Sequence, residues 1–207
     1  GPDEDRSGGF AHGGWTEPLV DASVGSWLDR TFAHPFDLLL GRRTYEIFAA
    51  YWPHHTDSPV GAAFARAHKY VASQHLQDPE WGPATVLSGN VPRHLSGLQE
   101  QDGPDLLIQG SGTLIQSLLT AGLVDELRVL VFPLLVGTGK RLFADGAVPT
   151  GLQLAAHDVS PSGVVMAAYH RAGPVATGSF ADEVPSAAEL DRRRRLQEEE
   201  RAGGGTP

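Results

Sequence analysis

The sequence predicts an α/β fold in which a mainly parallel sheet is flanked by helices and an antiparallel hairpin closes the C-terminal end. Short apolar runs alternate with stretches whose apolar residues recur at helical spacing, as expected for parallel strands connected by helices. These runs lie at residues 36–41, 69–73, 84–89 and 105–110. Near the end of the fold, two further apolar stretches face each other across Pro161-Ser162-Gly163, which is the pattern of a β-hairpin.

Helical spacing predicts a helix beside each of the parallel strands. We expect these helices at residues 19–34, 42–50, 59–67, 91–101 and 113–121. Pro35 ends the first helix and Gly122 closes the last. A strand rich in Val and Leu is expected at 125–132, and the hairpin strands at 152–160 and 163–171.

Composition divides the 207-residue chain into one folded domain, residues 1–174, and a polar tail, residues 175–207, with a helix expected at 185–201. The chain has no run of eighteen apolar residues, and its lack of cysteine is compatible with a cytoplasmic location. A net charge of -9 argues against binding to nucleic acid or to an anionic membrane.

Two strand-to-helix turns carry the clearest chemical signal. They are LLLGRRT (38–44) and LLIQGSGT (106–113). In each turn a glycine allows close approach of the backbone, and the helix that follows directs free N–H groups toward an anion. Two such turns could hold a dinucleotide diphosphate, although each alone is also compatible with a simple turn. Neither turn is a P-loop, and neither fits G-x-G-x-x-G.

Three weaker signals lie outside these turns. Ser73 ends a strand and could donate to a phosphate or cap the following turn. The glycine turn 137–140 could contact an anionic substrate or merely connect two strands. His54 and His55 precede Asp57, but adjacent histidine side chains diverge, so we assign no metal site.

Several stretches together resemble the bacterial dihydrofolate reductase-like family, which is related to the reductase domain of riboflavin biosynthesis. The resemblance runs from residue 1 to about residue 171. It rests on GPDEDRSGGFAHGGW (1–15), LLLGRRTYE (38–46), YWP (51–53), KYVAS (69–73), LLIQGSGTLIQSLL (106–119) and VDELRVLVFPLLVGTGKRLF (124–143). The resemblance implies a dihydrofolate-reductase-like fold that binds NADPH at the strand ends and reduces a small-molecule substrate.

By motif position, the resemblance also implies roles for individual residues. The expected cofactor contacts are Gly41, Arg42, Arg43, Thr44, Ser73, Gln74, Gly110, Ser111, Gly112 and Thr113. Phe10, His12 and Trp15 belong to an entry segment that resembles the mobile loop over the nicotinamide. Asp21 and His12 are the candidate catalytic acids, while Phe10, Trp15 and Trp52 are expected on the substrate side. The apolar stretch 124–136 suggests a homodimer.

The chain as given departs from the family in one respect. Family members have a central hydrophobic strand ending in Ser-Leu-Asp-Gly before the entry segment, and this strand is expected to be missing here. Without it, two neighbouring strands would have unpaired edges. Either the protein starts upstream of the given sequence, or 175–180 or a partner chain fills the gap. Three functions therefore stay open: an NADPH-dependent reductase of a heterocyclic or carbonyl compound, a non-catalytic module that binds a nucleotide or pterin, and a structural protein.

Overall fold

The structure is a computed structural model that describes residues 9–100, 102–143, 147–179 and 184–203. The chain divides into two compact units, with the boundary between Pro174 and Val175. In the described residues, no helix is long and apolar enough to cross a membrane.

A four-stranded parallel sheet forms the centre of the first unit. Its strands are β1 (Phe36–Gly41), β2 (Lys69–Ala72), β3 (Ala84–Leu87) and β4 (Asp105–Ile108), in the order β3-β2-β1-β4. Each strand pairs in parallel with its neighbours, and the register aligns Gly41 with Ala72 and Leu39 with Ile108. The predicted parallel α/β class is confirmed, and the carboxyl ends of the strands share one edge.

Helices cover both faces of this sheet. One face packs against α2 (Arg42–Tyr51) and α3 (Pro59–Arg66) through an aromatic cluster centred on Phe64, which is fully buried. The other face packs against α4 (Val91–Gln99) and α5 (Gly112–Thr120). The buried residues on this second side are Leu39, Leu87, Leu95, Leu114 and Leu118. The strand ends are thus held between two apolar layers.

A separate three-stranded antiparallel sheet contains the C-terminal hairpin. Its strands are β5 (Glu126–Val131), β6 (Leu152–Val159) and β7 (Val165–Arg171), in the order β5-β7-β6. The pairing of β6 with β7 confirms the predicted hairpin, and an irregularity lies between Leu154 and Ala156. Helix α1 (Ala22–Thr31) packs Val24 and Trp27 against one face of this sheet.

The two sheets each end in a strand with a single partner. Among the described strands, β4 pairs only with β1, and β5 pairs only with β7. Residues 175–179 form no strand, and Phe180 lies outside the described residues.

The second unit contains one helix, α6 (Ala187–Gly203), close to the expected span 185–201. Its described surface is almost entirely exposed, with ion pairs that join Glu189 to Arg192 and Arg193. Such i,i+3 and i,i+4 pairs stabilise a solvated helix.

Candidate cofactor-binding site

The glycine turns after β1 and β4 meet at the carboxyl edge of the parallel sheet. Because the two strands are neighbours and parallel, both turns emerge side by side. The Gly41 N–H donates a hydrogen bond to the Gly110 carbonyl oxygen at 3.1 Å. The sequence analysis proposed that the two turns could together hold a dinucleotide diphosphate, and the structure places the two turns side by side.

Side chains larger than hydrogen do not fit where the two turns meet. A Cβ at Gly41 would lie 2.6 Å from Ser111 Oγ, and one at Gly110 would lie 2.8 Å from Thr44 Oγ1. Gly110 also has a φ of +134°, which side chains rarely adopt, and its peptide bond to Ser111 is cis. A side chain at either glycine would therefore have to displace Ser111 or Thr44 where the two turns meet.

Two helices begin at this junction, and their first N–H groups face the same edge. Helix α2 starts after Gly41 without a side-chain cap, so its first amides have no side-chain acceptor there. At α5, Ser111 Oγ accepts from the Leu114 N–H at 3.4 Å. A Cβ added at Gly112 would meet no atom within 4 Å, which leaves room beside the first turn of α5. Uncapped amides and open space suit an anionic group such as a diphosphate.

The charged and hydroxyl candidates around the turns differ in their contacts. Arg42 Nη1 donates to Glu46 Oε1 at 2.6 Å, one helical turn away, so part of its charge is neutralised. Arg43 is exposed. Ser73 Oγ accepts from the His75 N–H at 3.1 Å and the Leu76 N–H at 2.9 Å, which is the capping role weighed above.

Ser73 and Gln74 follow β2, whose last residue Ala72 aligns with Gly41. They therefore lie at the same edge of the sheet as the glycine turns, and Gln74 is exposed there. Thr113, the second residue of α5, is likewise exposed. The residues predicted to contact the cofactor are thus distributed over the ends of three adjacent strands.

Asp21 caps α1 and fastens the hairpin turn. Its Oδ1 accepts from the Ser23 and Val24 N–H groups, and its Oδ2 accepts from the Ser162 N–H at 3.0 Å. The Val24 hydrogen bond is the largest influence that lowers the pKa of Asp21. A carboxylate held ionised in this way is a poor proton donor near neutral pH. Ser162 was missed, since no local pattern pairs residues 141 positions apart.

The entry segment packs on the residues that follow β5. A Cβ added at Gly139 would lie 3.4 Å from the Phe10 ring, and the Trp15 ring meets Phe132 edge to face at a centroid separation of 5.1 Å. His12 is exposed, with its ring 5.7 Å from that of Phe10. The structure therefore brings together the entry segment and the glycine turn 137–140.

Gln116 connects this second region to α5. Its Nε2 donates to the carbonyl oxygens of Arg141 and Leu142 at 2.9 and 3.4 Å. The only sequence signal for this contact is a polar residue within an apolar helical pattern. Through Gln116, the segment after the 137–140 turn is fixed to the helix whose N-terminus forms part of the candidate site.

Two features lie away from the glycine junction. Trp52 packs in the aromatic cluster, with its ring 4.8 Å from that of Phe64, so its predicted substrate contact stays a prediction. A cavity of about 510 Å³ runs beside α5 and shares only Thr113 with the two turns. Helix α5 contributes mainly polar side chains to its lining, whereas residues 142–152 contribute mainly apolar ones. We therefore place the candidate cofactor site at the strand ends and not in this cavity.

A parallel α/β unit with paired glycine turns at the strand ends defines the class of the protein, and comparison with known proteins defines its family. The family described as "RibD C-terminal domain" matches residues 8–166, so the chain belongs to this family. Membership supports a reductase-type oxidoreductase as its general class.

Individual proteins of known sequence share limited identity with this chain. The uncharacterized protein YyaP of Bacillus subtilis (strain 168) is 28% identical over 112 residues, which cover 52% of this chain and 59% of YyaP. The chain thus spans less than two thirds of that curated relative.

Two solved structures share the fold. A putative riboflavin biosynthesis protein from Shewanella sp. PV-4 is 22% identical, with a TM-score of 0.57 over 74% of this chain and 81% of its own. A pyrimidine reductase-like protein from Corynebacterium diphtheriae is 14% identical, with a TM-score of 0.51 over 75% and 83%. At these identities the likeness shows the fold alone.

Proposed function

We propose that this protein is an NADPH-dependent reductase that transfers hydride to a small heterocyclic or carbonyl substrate. The observation that carries the proposal is the junction of the two glycine turns, where Gly41 and Gly110 pack together and two helix N-termini face one edge. Family membership supports the reductase class. When bound, NADPH would supply the hydride, and the protein supplies orientation and electrostatics.

The chain's own groups divide this work. The N–H groups at the start of α2 and α5 would hold the diphosphate, with Thr44 and Thr113 as hydroxyl donors. Arg43, Ser73 and Gln74 would contact the 2′-phosphate that distinguishes NADPH from NADH. For a proton to the substrate, exposed His12 is better suited than Asp21, whose carboxylate caps α1 and whose pKa is lowered.

One observation favours a second candidate function, a non-catalytic module that binds a nucleotide or pterin. In the described structure, β4 and β5 each have one unpaired edge, so the sheet beside the glycine junction is interrupted. Such a module would retain the diphosphate site and lack turnover.

Titration of the purified chain with NADPH and with NADH tests these functions. Nicotinamide fluorescence and thermal denaturation would be recorded together. When the free NADPH concentration is a hundred-fold above its dissociation constant, binding should raise the free energy of unfolding by about 2.7 kcal/mol. Binding of NADPH together with its oxidation by a heterocyclic or carbonyl compound supports the reductase. Stoichiometric binding without turnover across such a screen supports the module. No binding of either dinucleotide contradicts the reductase and a dinucleotide-binding module, and favours a structural protein.

A further inference from the structure

The cavity beside α5 has walls of opposite character. One wall is a polar stripe of α5 whose members recur at a spacing of three and four residues: Thr113, Gln116, Ser117 and Thr120. The opposite side of α5 buries Leu114 and Leu118. The polar side of such a helix ordinarily faces bulk solvent, whereas here it forms one wall of a cavity of about 510 Å³.

The wall that faces this stripe is apolar and accessible to solvent. Phe143, Val148 and Leu152 line the cavity, and 51%, 52% and 45% of their surfaces are exposed. Apolar walls with a few polar groups, enclosing a volume of this size, are typical of small-molecule sites. A ligand in the cavity would remove three large apolar side chains from water, which favours binding.

The hydrogen bonds of the polar stripe leave it rich in acceptors. Ser117 Oγ donates to the Leu114 carbonyl oxygen at 2.8 Å, and Thr120 Oγ1 donates to the Gln116 carbonyl oxygen at 2.9 Å. Because a hydroxyl has a single proton, these two oxygens can then only accept further hydrogen bonds. The Gln116 amide nitrogen likewise donates to two backbone carbonyl oxygens, which leaves its Oε1 as an acceptor. The stripe therefore selects a ligand that carries N–H or O–H donors.

Charge favours a cation among such ligands. Ser117 and Thr120 lie in the last turn of α5, where the helix dipole is negative. Of the described residues that line the cavity, Asp125 and Arg171 are charged and offset each other, and Arg171 Nη1 already donates to the Gly122 carbonyl oxygen at 2.7 Å. The chain as a whole has a net charge of -9, which attracts a cation and repels an anion.

We propose that this cavity is a second small-molecule site, which binds an apolar amine. The ammonium group of the ligand donates to the oxygens of Ser117 and Thr120, and its apolar body covers Phe143 and Leu152. The proposed cofactor site lies at the N-terminus of α5 and selects an anion, whereas this site lies along the flank of the helix. Thr113 is the residue common to both. Because the two sites select opposite charges, a ligand of one does not bind at the other.

Three probes with the same aromatic body separate the chemical classes of ligand. They are naphthylethylamine, naphthylethanol and naphthylacetic acid, each titrated calorimetrically into the full chain without cofactor. We expect saturable one-to-one binding of the amine, at least tenfold tighter than that of the alcohol or the acid. In nitrogen-15-labelled protein, the amine should change amide chemical shifts in residues 113–120 and 124–127.

Two variants test the role of the acceptor oxygens. The double substitution Ser117→Ala and Thr120→Val removes both oxygens from exposed positions, so circular dichroism should show an unchanged fold. Ser96→Ala is the matched control, because Ser96 Oγ makes the same kind of bond in α4, to the Pro92 carbonyl oxygen at 3.1 Å, outside the cavity. We expect at least tenfold weaker amine binding in the double variant and unchanged binding in Ser96→Ala.

No binding of the amine, or equal binding of the three probes, would overturn the proposal. Amine binding of wild-type strength by the double variant would also overturn it, since a general attraction to the acidic surface does not depend on these two oxygens. The titrations contain no dinucleotide, so their outcome is independent of the proposed reductase function.

Discussion

Lys69 is a buried lysine at the start of β2, and its titration should control the stability of the fold at alkaline pH. Its side chain is fully buried, and Nζ donates to the carbonyl oxygens of Ala65 and Gly82 at 3.2 and 3.3 Å. The ammonium also lies 4.4 Å from the centroid of the Trp81 ring. Carbonyl oxygens and an aromatic face stabilise the charge only in part, so its burial has a net cost.

The size of this cost follows from the pKa of the group. Burial lowers the pKa of Lys69 from 10.5 to about 8, and the charge of Asp37 opposes this shift. The unfolded chain therefore binds this proton more tightly, and the free energy of unfolding rises with pH between about 8 and 10.5. The linkage relation gives a gain of about 2 kcal/mol between about pH 7 and pH 9.5. Burial raises the pKa of Tyr45, so ionisation of this phenol lowers the free energy of unfolding as the pH rises above about 10.

Urea unfolding of the wild type and of Lys69→Met over this pH range measures the effect. Methionine keeps an unbranched apolar side chain and removes the titrating amine. We expect the wild type to gain about 2 kcal/mol relative to Lys69→Met. Gly97→Ala is the control, since a Cβ there meets no atom within 4 Å and adds no titrating group.

The titration of Lys69 can also be followed directly in the folded wild type, without a variant. The chain has two lysines, Lys69 and Lys140, so carbon-13 labelling of lysine gives few resonances to assign. The Lys69 resonance should titrate near pH 8 in the folded wild type. Equal pH dependence in the wild type and Lys69→Met, or a Lys69 resonance that titrates near 10.5, would refute the reasoning.

Three further substitutions test the packing around the site. Gly110→Ala should lower the free energy of unfolding by about 1–3 kcal/mol, because alanine is strained at a φ of +134° and meets Thr44; unchanged urea unfolding would contradict this. Phe64→Ala should cost about 3–5 kcal/mol by the same measurement, because it empties the centre of the aromatic cluster; a loss below about 1 kcal/mol would contradict the burial. Asp21→Ala should lower the melting temperature near neutral pH. The pKa of Asp21 is lowered below 3.8 in the folded state, so the wild type loses the stabilisation as the pH falls through that pKa. The difference in melting temperature between the wild type and Asp21→Ala should therefore shrink at acidic pH, and a constant difference would contradict the cap.

Local patterns in the sequence were sufficient to predict the helices, strands and turns of the fold. The glycines and hydroxyls of LLLGRRT and LLIQGSGT marked the turns, and the apolar runs around residues 161–163 marked the hairpin. These features depend on residues close in the chain, so composition and periodicity reveal them. The contact of Gly110 with Thr44 joins residues far apart in sequence, and only the strand order brings them together.

Other features of the site depended on such distant contacts and were not predicted. The carboxylate of Asp21, a candidate acid, caps α1 and also accepts from the Ser162 N–H, which holds the hairpin turn. Trp52, expected on the substrate side, packs against Phe64, because α2 and α3 share an aromatic layer. Lys69 is polar at the start of an apolar strand, and its sequence neighbours do not indicate its burial.

The affinity of Gly112→Val for NADPH tests the central claim most directly. Gly112 faces open space at the first turn of α5, so valine should leave the cofactor-free fold intact and occupy the room proposed for the diphosphate. Gly97→Ala serves as the matched glycine control in α4. In calorimetric titrations, we predict equal dissociation constants for the wild type and Gly97→Ala, and at least tenfold weaker binding by Gly112→Val with an unchanged melting temperature of the free protein. NADPH binding of wild-type strength by Gly112→Val would contradict the assignment of the diphosphate to this turn.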